Sequence, residues 1–123
     1  MEGWSVFIAV LKSSQRIRKN KEFLNLYKKG RFFKDQLFLL KFVKNSCKSS
    51  RFGFVVSLRV SKRAVDRNLL KRRMREIVRS QIESIRDGYD LVFIMSPNAR
   101  LADFRKLKDA VINALNRSGL LKK

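Results

Sequence analysis

The residues best suited to chemistry stand in one basic segment, Arg59–Arg79, which holds nine Lys or Arg against two acidic residues, a local charge of +7. Because an α-helix turns about once every 3.6 residues, a helix here sorts this charge onto one side. The stripe at i, i+4, i+7 and i+11 consists of Asn68, Arg72, Arg75 and Arg79. The opposite, apolar face consists of Leu70, Met74, Ile77, Val78 and Ile85. Lys71 flanks the stripe, and Arg67 lies nearer the edge that is expected to be buried.

Such a stripe is typical of a surface that binds phosphate. Like charges four residues apart repel, so a face that is merely solvated usually alternates its signs. Guanidinium groups match phosphate oxygens in pairs, and the Asn68 amide adds a donor and an acceptor for a base edge or a 2′-hydroxyl. The stripe therefore favours a nucleic acid partner over a solubilising face, without separating RNA from DNA.

The composition excludes several kinds of active site. The chain of 123 residues has no His and a single Cys, Cys47, which excludes Ser-His-Asp and Cys-His arrangements, His-ligated zinc and an internal disulfide. The closest acidic residues, Glu83, Asp87 and Asp90, fit a helix end and a turn better than a two-metal motif. A formal net charge of +20 makes a polyanion the expected partner, with nucleic acid first and an anionic membrane surface second.

The remaining patterns predict a single α+β domain that positions the basic segment. Asn20 as a helix cap and Gly30 as a stop bound a short amphipathic helix over 20–29. Strands are predicted over Leu37–Val43, Arg51–Ser57 and Leu91–Met95, with a further short strand at Phe32 and Phe33. A last helix presents Phe104, Leu107, Val111 and Leu115 on one face. We expect one sheet, packed with helices as an α/β sandwich, and at least one strand-helix-strand crossover.

The first residues predict neither a membrane span nor a signal peptide. The apolar stretch Trp4–Leu11 has about half the length of a span. It also lacks the basic flank and the cleavage site of a signal peptide. Residues 1–15 are therefore expected to be either a poorly ordered N-terminal extension or the product of a start codon placed too early.

The basic segment also resembles a known family. The run Ala64–Glu76, AVDRNLLKRRMRE, is similar to the Arg-Asn-Arg helix motif of the bacterial ribonuclease P protein component. Other stretches resemble that family in the same order. Arg16–Gly30 resembles its N-terminal helix, and Gly53–Ser57 resembles the strand before the motif. Asp90–Ala99 and the 104–107 region resemble its last strand and its last helix. The resemblance covers roughly residues 16–116.

The chain departs from the family pattern at three places. Leu58 and Arg59 stand where the family often has two lysines, and Lys41 occupies a strand position where some members have Tyr. Leu69 takes a motif position that is often basic, which shifts charge to Arg73.

The resemblance implies a fold with elements in the order α-β-β-β-α-β-α. These form one mixed sheet of about four strands with a left-handed βαβ crossover, rare among such units, as in a ribosomal protein S5 domain 2-like fold. The implied domain spans residues 16–117, and residues 118–123 are then a basic C-terminal tail.

The resemblance further implies a role in transfer RNA maturation. The family's protein binds a large catalytic RNA, and the holoenzyme removes the 5′ leader from precursor tRNA with Mg²⁺ that is held mainly by the RNA. The implied partners are ribonuclease P RNA and precursor tRNA in the cytoplasm, with neither DNA nor a membrane as partner and with no catalytic residue in the protein.

Two sets of site residues follow from the resemblance. The residues expected to face the catalytic RNA are Arg59, Lys62, Arg63, Arg67, Asn68, Lys71, Arg72, Arg75 and Arg79. Arg16, Phe23 and Tyr27 are expected to line a cleft for the single-stranded leader, where aromatic rings stack on bases. An aromatic pair at this helical spacing is also compatible with a place in the core.

Two other functions remain open from the sequence. A structural or ribosome-associated RNA-binding protein without enzymatic duty suits the size and charge equally well. A membrane-surface protein that uses the basic amphipathic helix is less favoured, because the apolar face of that helix is needed for the core.

Overall fold

The computed structural model describes residues 28–45 and 48–122. The strands are β1 (Arg31–Lys34), β2 (Phe38–Lys44), β3 (Arg51–Val55) and β4 (Tyr89–Met95), and the helices are α1 (Ala64–Gln81) and α2 (Phe104–Arg117). Short 3₁₀ turns follow α1 at Ile82–Ser84 and β4 at Pro97–Leu101. The predicted extension over 1–15 and most of the predicted helix over 20–29 lie outside the described residues.

The described strands form one mixed sheet in the order β1-β2-β4-β3. β2 pairs with β1 and with β4 in antiparallel fashion, with Phe42 opposite Leu91 in the β2–β4 ladder. β3 lies parallel to β4, with Phe54 beside Phe93. A parallel neighbour needs a crossover connection, and α1 provides it, which confirms the predicted strand-helix-strand unit and the α+β class.

One face of the sheet carries the core. Side chains alternate along a strand, so Phe38, Leu40 and Phe42 of β2 point to the same side and are buried there. Phe93 of β4 lies at the centre: its ring meets Phe38 edge-on at 5.2 Å and stacks on Phe54 at 5.8 Å. Both helices complete this core.

The apolar face predicted for α1 is the face that is buried. Its core residues are Leu70, Met74, Ile77 and Val78, followed by Ile85. In α2, Leu107, Val111 and Leu115 are buried as predicted, whereas Phe104 is 42% exposed. Phe104 lies in the first turn of α2, next to the cap residue Asp103. The Asp103 carboxylate caps the helix by accepting a hydrogen bond from the Lys106 amide at 2.8 Å.

A buried ion pair joins two strands at one end of the sheet. The Arg51 guanidinium donates to both carboxylate oxygens of Asp90, at 2.8 and 2.7 Å, and the Asn45 amide adds a third bond at 2.8 Å. Asp90 is only 2% exposed. Asp90, which follows the predicted turn in the sequence, thus links β3 to β4 through its ion pair with Arg51.

The domain bounds implied by the resemblance leave 118–123 as a basic tail, but the structure docks residues 118–122 onto the fold. Leu120 is buried in the core, and Leu121 forms an antiparallel bridge with Ile85. The amides of Arg86 and Lys122 donate to the carbonyls of Leu120 and Ser84, both at 2.7 Å. Leucines at these positions add apolar burial, which the count of basic residues does not reveal.

Candidate nucleic-acid interface

The loop before α1 is fixed by its own polar groups. The hydroxyl of Ser61 donates to Asp66 at 2.9 Å and accepts from the Arg63 amide at 3.2 Å. The Arg67 guanidinium donates to the Ser61 carbonyl at 2.9 Å. Arg67 therefore holds the loop and is half-buried, in keeping with the position near the buried edge that helical periodicity predicts.

The predicted stripe lies along the side of α1 away from the core. Asn68, Arg72 and Arg79 are exposed, and Arg75 is half-buried. Glu76 is the acidic residue nearest to Arg79, at 4.0 Å, and a surface pair of this kind is weak. Because the opposite face of α1 is fixed in the core, the stripe is held in a fixed orientation toward solvent.

Lys71 is more buried than its place beside the stripe predicts, at 7% exposure. Burial lowers the pKa of the Lys71 ammonium from its ordinary value, and the Arg67 guanidinium lowers it further. Burial also lowers the pKa of Arg75, with a second contribution from Arg72, while Glu76 acts in the opposite sense. Cations that repel one another in the free protein gain from a polyanion that neutralises them.

We expect the difference in stability between the wild type and the Lys71→Met variant to depend on pH, because the Lys71 ammonium is buried. Below the lowered pKa of Lys71 both states are protonated, and the folded state carries the full cost of the buried charge. Between that pKa and 10.5 the folded state loses its proton first, so the wild type should gain stability relative to the variant as the pH rises. Urea unfolding of both proteins at a series of pH values measures this difference.

Lys106→Met, on the exposed side of α2, controls for the loss of one lysine. The free energy of unfolding of the wild type, relative to Lys71→Met, should rise with pH. If it stays constant or falls, burial of the Lys71 ammonium does not destabilise the folded state.

Three further predicted RNA-facing residues precede the helix. Arg59, Lys62 and Arg63 are all exposed in the loop between β3 and α1. The Arg63 guanidinium lies 3.9 Å from Asp66, in a partly exposed pair. Together with the stripe, these residues place cationic side chains both in the loop and along α1.

Two arginines outside the predicted set belong to a second basic surface. Arg73 and Arg100 line a groove with Arg63, between the first half of α1 and the 3₁₀ turn 97–101. Arg73 lies about 100° round the helix from Arg72, so it leaves the stripe. The sequence contains one indication of Arg73, because Leu69 takes a motif position that is often basic and the charge shifts to Arg73. No local pattern connects Arg100 with α1.

The edge of the sheet at β1 offers a different surface, on the side away from α1 and α2. Phe32 is 67% exposed on the edge strand, directly opposite Lys41 of β2, and Lys34 lies on the same side. An exposed ring among cations is suited to a single-stranded nucleic acid. The predicted cleft residues Arg16, Phe23 and Tyr27, like Cys47, lie outside the described residues.

The described part of the chain brings no three metal-ligating side chains together. Asp87 is exposed, and Asp90 is engaged by Arg51. Within the same ranges, neither helix has the length and apolar content that crossing a bilayer demands.

Known proteins match most of the chain. The family model described as Ribonuclease P matches residues 11–119. The ribonuclease P protein component of Clostridium botulinum strain Langeland is 39% identical over 106 residues, which cover 85% of this chain and 95% of that protein. The protein component from Alkaliphilus metalliredigens is 30% identical over 111 residues, covering 90% and 99%.

Solved structures match the fold as well. The Staphylococcus aureus RNase P protein superposes with a TM-score of 0.81 at 26% identity, covering 88% of this chain and 98% of that one. The RNase P protein from Thermotoga maritima gives a TM-score of 0.76 at 33% identity, covering 83% and 96%. The sheet and helices that carry the stripe are thus the shared architecture of these proteins.

Proposed function

The chain belongs to the ribonuclease P protein component family and acts in tRNA 5′ processing as a subunit of RNase P, and we propose that it binds the RNase P RNA through α1. The observation that supports this assignment most strongly is the stripe, which presents cations along a helix whose other side is fixed in the core. An RNA partner follows from the family.

The proposed RNA-facing set divides by role. The exposed residues Arg72 and Arg79 meet the phosphate backbone directly, and the exposed Asn68 amide meets a base edge or a 2′-hydroxyl. Lys71, Arg75 and Arg67 stand closer to the core, and Arg67 also holds the loop. The loop cations Arg59, Lys62 and Arg63 extend the contact. Neutralising phosphates where the catalytic RNA and its substrate meet lowers the Mg²⁺ concentration that the complex requires.

We assign the chemistry to the RNA subunit. The described residues do not fit a metal site, because no three potential ligands converge and the buried carboxylate of Asp90 is already bound by Arg51. We propose that Mg²⁺ is held mainly by the RNA and that hydrolysis of the phosphodiester takes place there too. The protein orients RNA and substrate in the cytoplasm, where the precursors are made.

The second part of the proposal concerns the 5′ leader of precursor tRNA. We assign it to the sheet face that carries Phe32, Lys34 and Lys41, with Arg16, Phe23 and Tyr27 as further contacts. A flexible single strand is bound well by a ring that stacks on a base and by cations that meet its phosphates. This face is opposite to α1, so both RNAs can be bound at once.

Reconstitution tests the function. The purified protein is combined with a bacterial RNase P RNA at low Mg²⁺, and leader release from a precursor tRNA is followed. We expect cleavage that needs both components and none from the protein alone. Tight RNA binding without stimulation of the cognate RNA would instead identify a structural RNA-binding protein, and cleavage by protein alone would overturn the assignment of catalysis.

The Phe32→Ala variant is expected to lose about tenfold in its preference for a leader-bearing substrate over a leaderless tRNA, the loss that corresponds to one stacked base. Its affinity for RNase P RNA should stay unchanged, because Phe32 lies on the sheet face opposite α1. Competition binding of the two tRNAs to the reconstituted holoenzyme measures the preference. Equal weakening toward both tRNAs would remove Phe32 from the leader surface.

A further inference from the structure

The groove between α1 and the turn 97–101 has an apolar floor. It has a volume of about 150 Å³. Val60, Leu70 and Ala99 form its base and are each at most 5% exposed. Leu69 and Leu101 line its sides, and Leu101 is 90% exposed. Burying the Leu101 side chain under a ligand would add the stabilisation that apolar burial gives.

The charge of the groove indicates an anionic ligand. Three arginines, Arg63, Arg73 and Arg100, line it against the single carboxylate of Asp66. That carboxylate already accepts a hydrogen bond from Ser61 at 2.9 Å and lies 3.9 Å from the Arg63 guanidinium. Arg73 and Arg100 therefore leave an excess of positive charge beside the apolar floor.

Both walls of the groove are preformed. The turn 97–101 is fixed at its start, where the Ser96 amide donates to the Leu37 carbonyl at 2.9 Å and the Ser96 hydroxyl donates to the Gln36 carbonyl at 2.8 Å. The other wall is α1, whose apolar face is packed in the core. A ligand thus meets a rigid site and does not have to order it.

We propose that this groove holds one unstacked base from a loop or bulge of the RNase P RNA. This inference rests on the proposed function and adds to it a contact between the groove and one unpaired nucleotide of the RNA. Unstacked bases bind where an apolar surface or a guanidinium plane meets the ring and cations meet the adjoining phosphates. The volume is well below the ~300 Å³ of a usual ligand pocket, which suits a single ring.

The Leu101→Ser variant separates base packing from phosphate contact. We expect it to bind RNase P RNA about tenfold more weakly, as for the loss of one buried leucine, with an unchanged dependence on salt. The Arg100→Ala variant should instead lower the log-log salt slope by about 0.7 to 0.9, the change for one phosphate contact. Filter binding of full-length RNase P RNA over a range of salt concentrations measures both quantities.

Chemical probing of the RNA bases gives an independent measurement. Wild-type protein should protect one unpaired nucleotide that becomes reactive in the Leu101→Ser complex. Phe104→Ala, which also removes an exposed apolar side chain but does not line the groove, should keep the protection, and Arg105→Ala is the matched control for Arg100→Ala.

The outcomes separate this inference from the function on which it rests. If the wild type stimulates RNase P RNA and Leu101→Ser binds it equally well with the same protections, the base site is overturned and the function stands. If only Arg100→Ala weakens binding and lowers the salt slope, the groove contacts phosphate and not a base. If the wild type neither binds nor stimulates RNase P RNA, both proposals fail.

Discussion

The Arg72→Ala/Arg79→Ala double variant is expected to bind RNase P RNA about 100-fold more weakly than the wild type at moderate salt. Each exposed guanidinium is expected to make a charge-assisted hydrogen bond to a phosphate, worth roughly 1.5 to 3 kcal/mol, and about 1.4 kcal/mol corresponds to a factor of ten. The log-log salt slope should fall by about 0.7 to 0.9 for each arginine removed. Equilibrium binding over a series of salt concentrations measures both effects.

The Arg105→Ala/Arg117→Ala double variant is the matched control, since it removes two exposed arginines from α2. It lowers the net charge equally but leaves the stripe intact, so its slope should remain close to the wild-type value. Equal losses in the two double variants would show that total charge, and not the stripe, determines RNA affinity.

The second large effect concerns stability. Asp90→Ala is expected to lower the free energy of unfolding by about 3 kcal/mol or more, because it leaves the Arg51 guanidinium partly buried without its carboxylate. The Asn45 amide loses an acceptor at the same time. For a domain of this size the melting temperature should fall by roughly 10 °C or more. Thermal and urea unfolding measure the change.

Asp109→Ala removes an exposed carboxylate from α2 and should stay within about 0.5 kcal/mol of the wild type. The double variant Arg51→Met/Asp90→Leu should recover much of the loss, since a buried ion pair can be replaced by apolar side chains at little cost. If Asp90→Ala is as mild as Asp109→Ala, the ion pair does not hold the strands together.

Helical periodicity was sufficient to predict α1 and the side of it that faces outward. Leu70, Met74 and Ile77 return every three or four residues, and the structure buries all three. The central strands were predicted for a related reason, because near-continuous apolar runs such as Leu91–Met95 are suited to strands within a sheet. The residues that define each of these elements lie close together in the sequence, so a short segment is enough to predict the element.

Contacts between distant residues were beyond such patterns. Arg51 and Asp90 are 39 positions apart and meet only because β3 and β4 pair in parallel. Arg73 and Arg100 share a groove for a similar reason, since the turn after β4 lies beside α1. The Phe32-Phe33 pair shows a subtler limit: alternation puts one ring on each side of β1, and only the finished sheet identifies which side stays exposed.

The strand order β1-β2-β4-β3 also sets an order of events during folding. The hairpin of β1 and β2 joins neighbouring segments and can form early, whereas β3 has its parallel neighbour only in β4, across the whole of α1. Closing so long a loop is slow compared with local pairing. While a ribosome is still making β4, the helix that carries the stripe has no finished sheet beneath it. We therefore expect the arginines of the stripe to be aligned for RNA only after β4 has been synthesised and has joined the sheet.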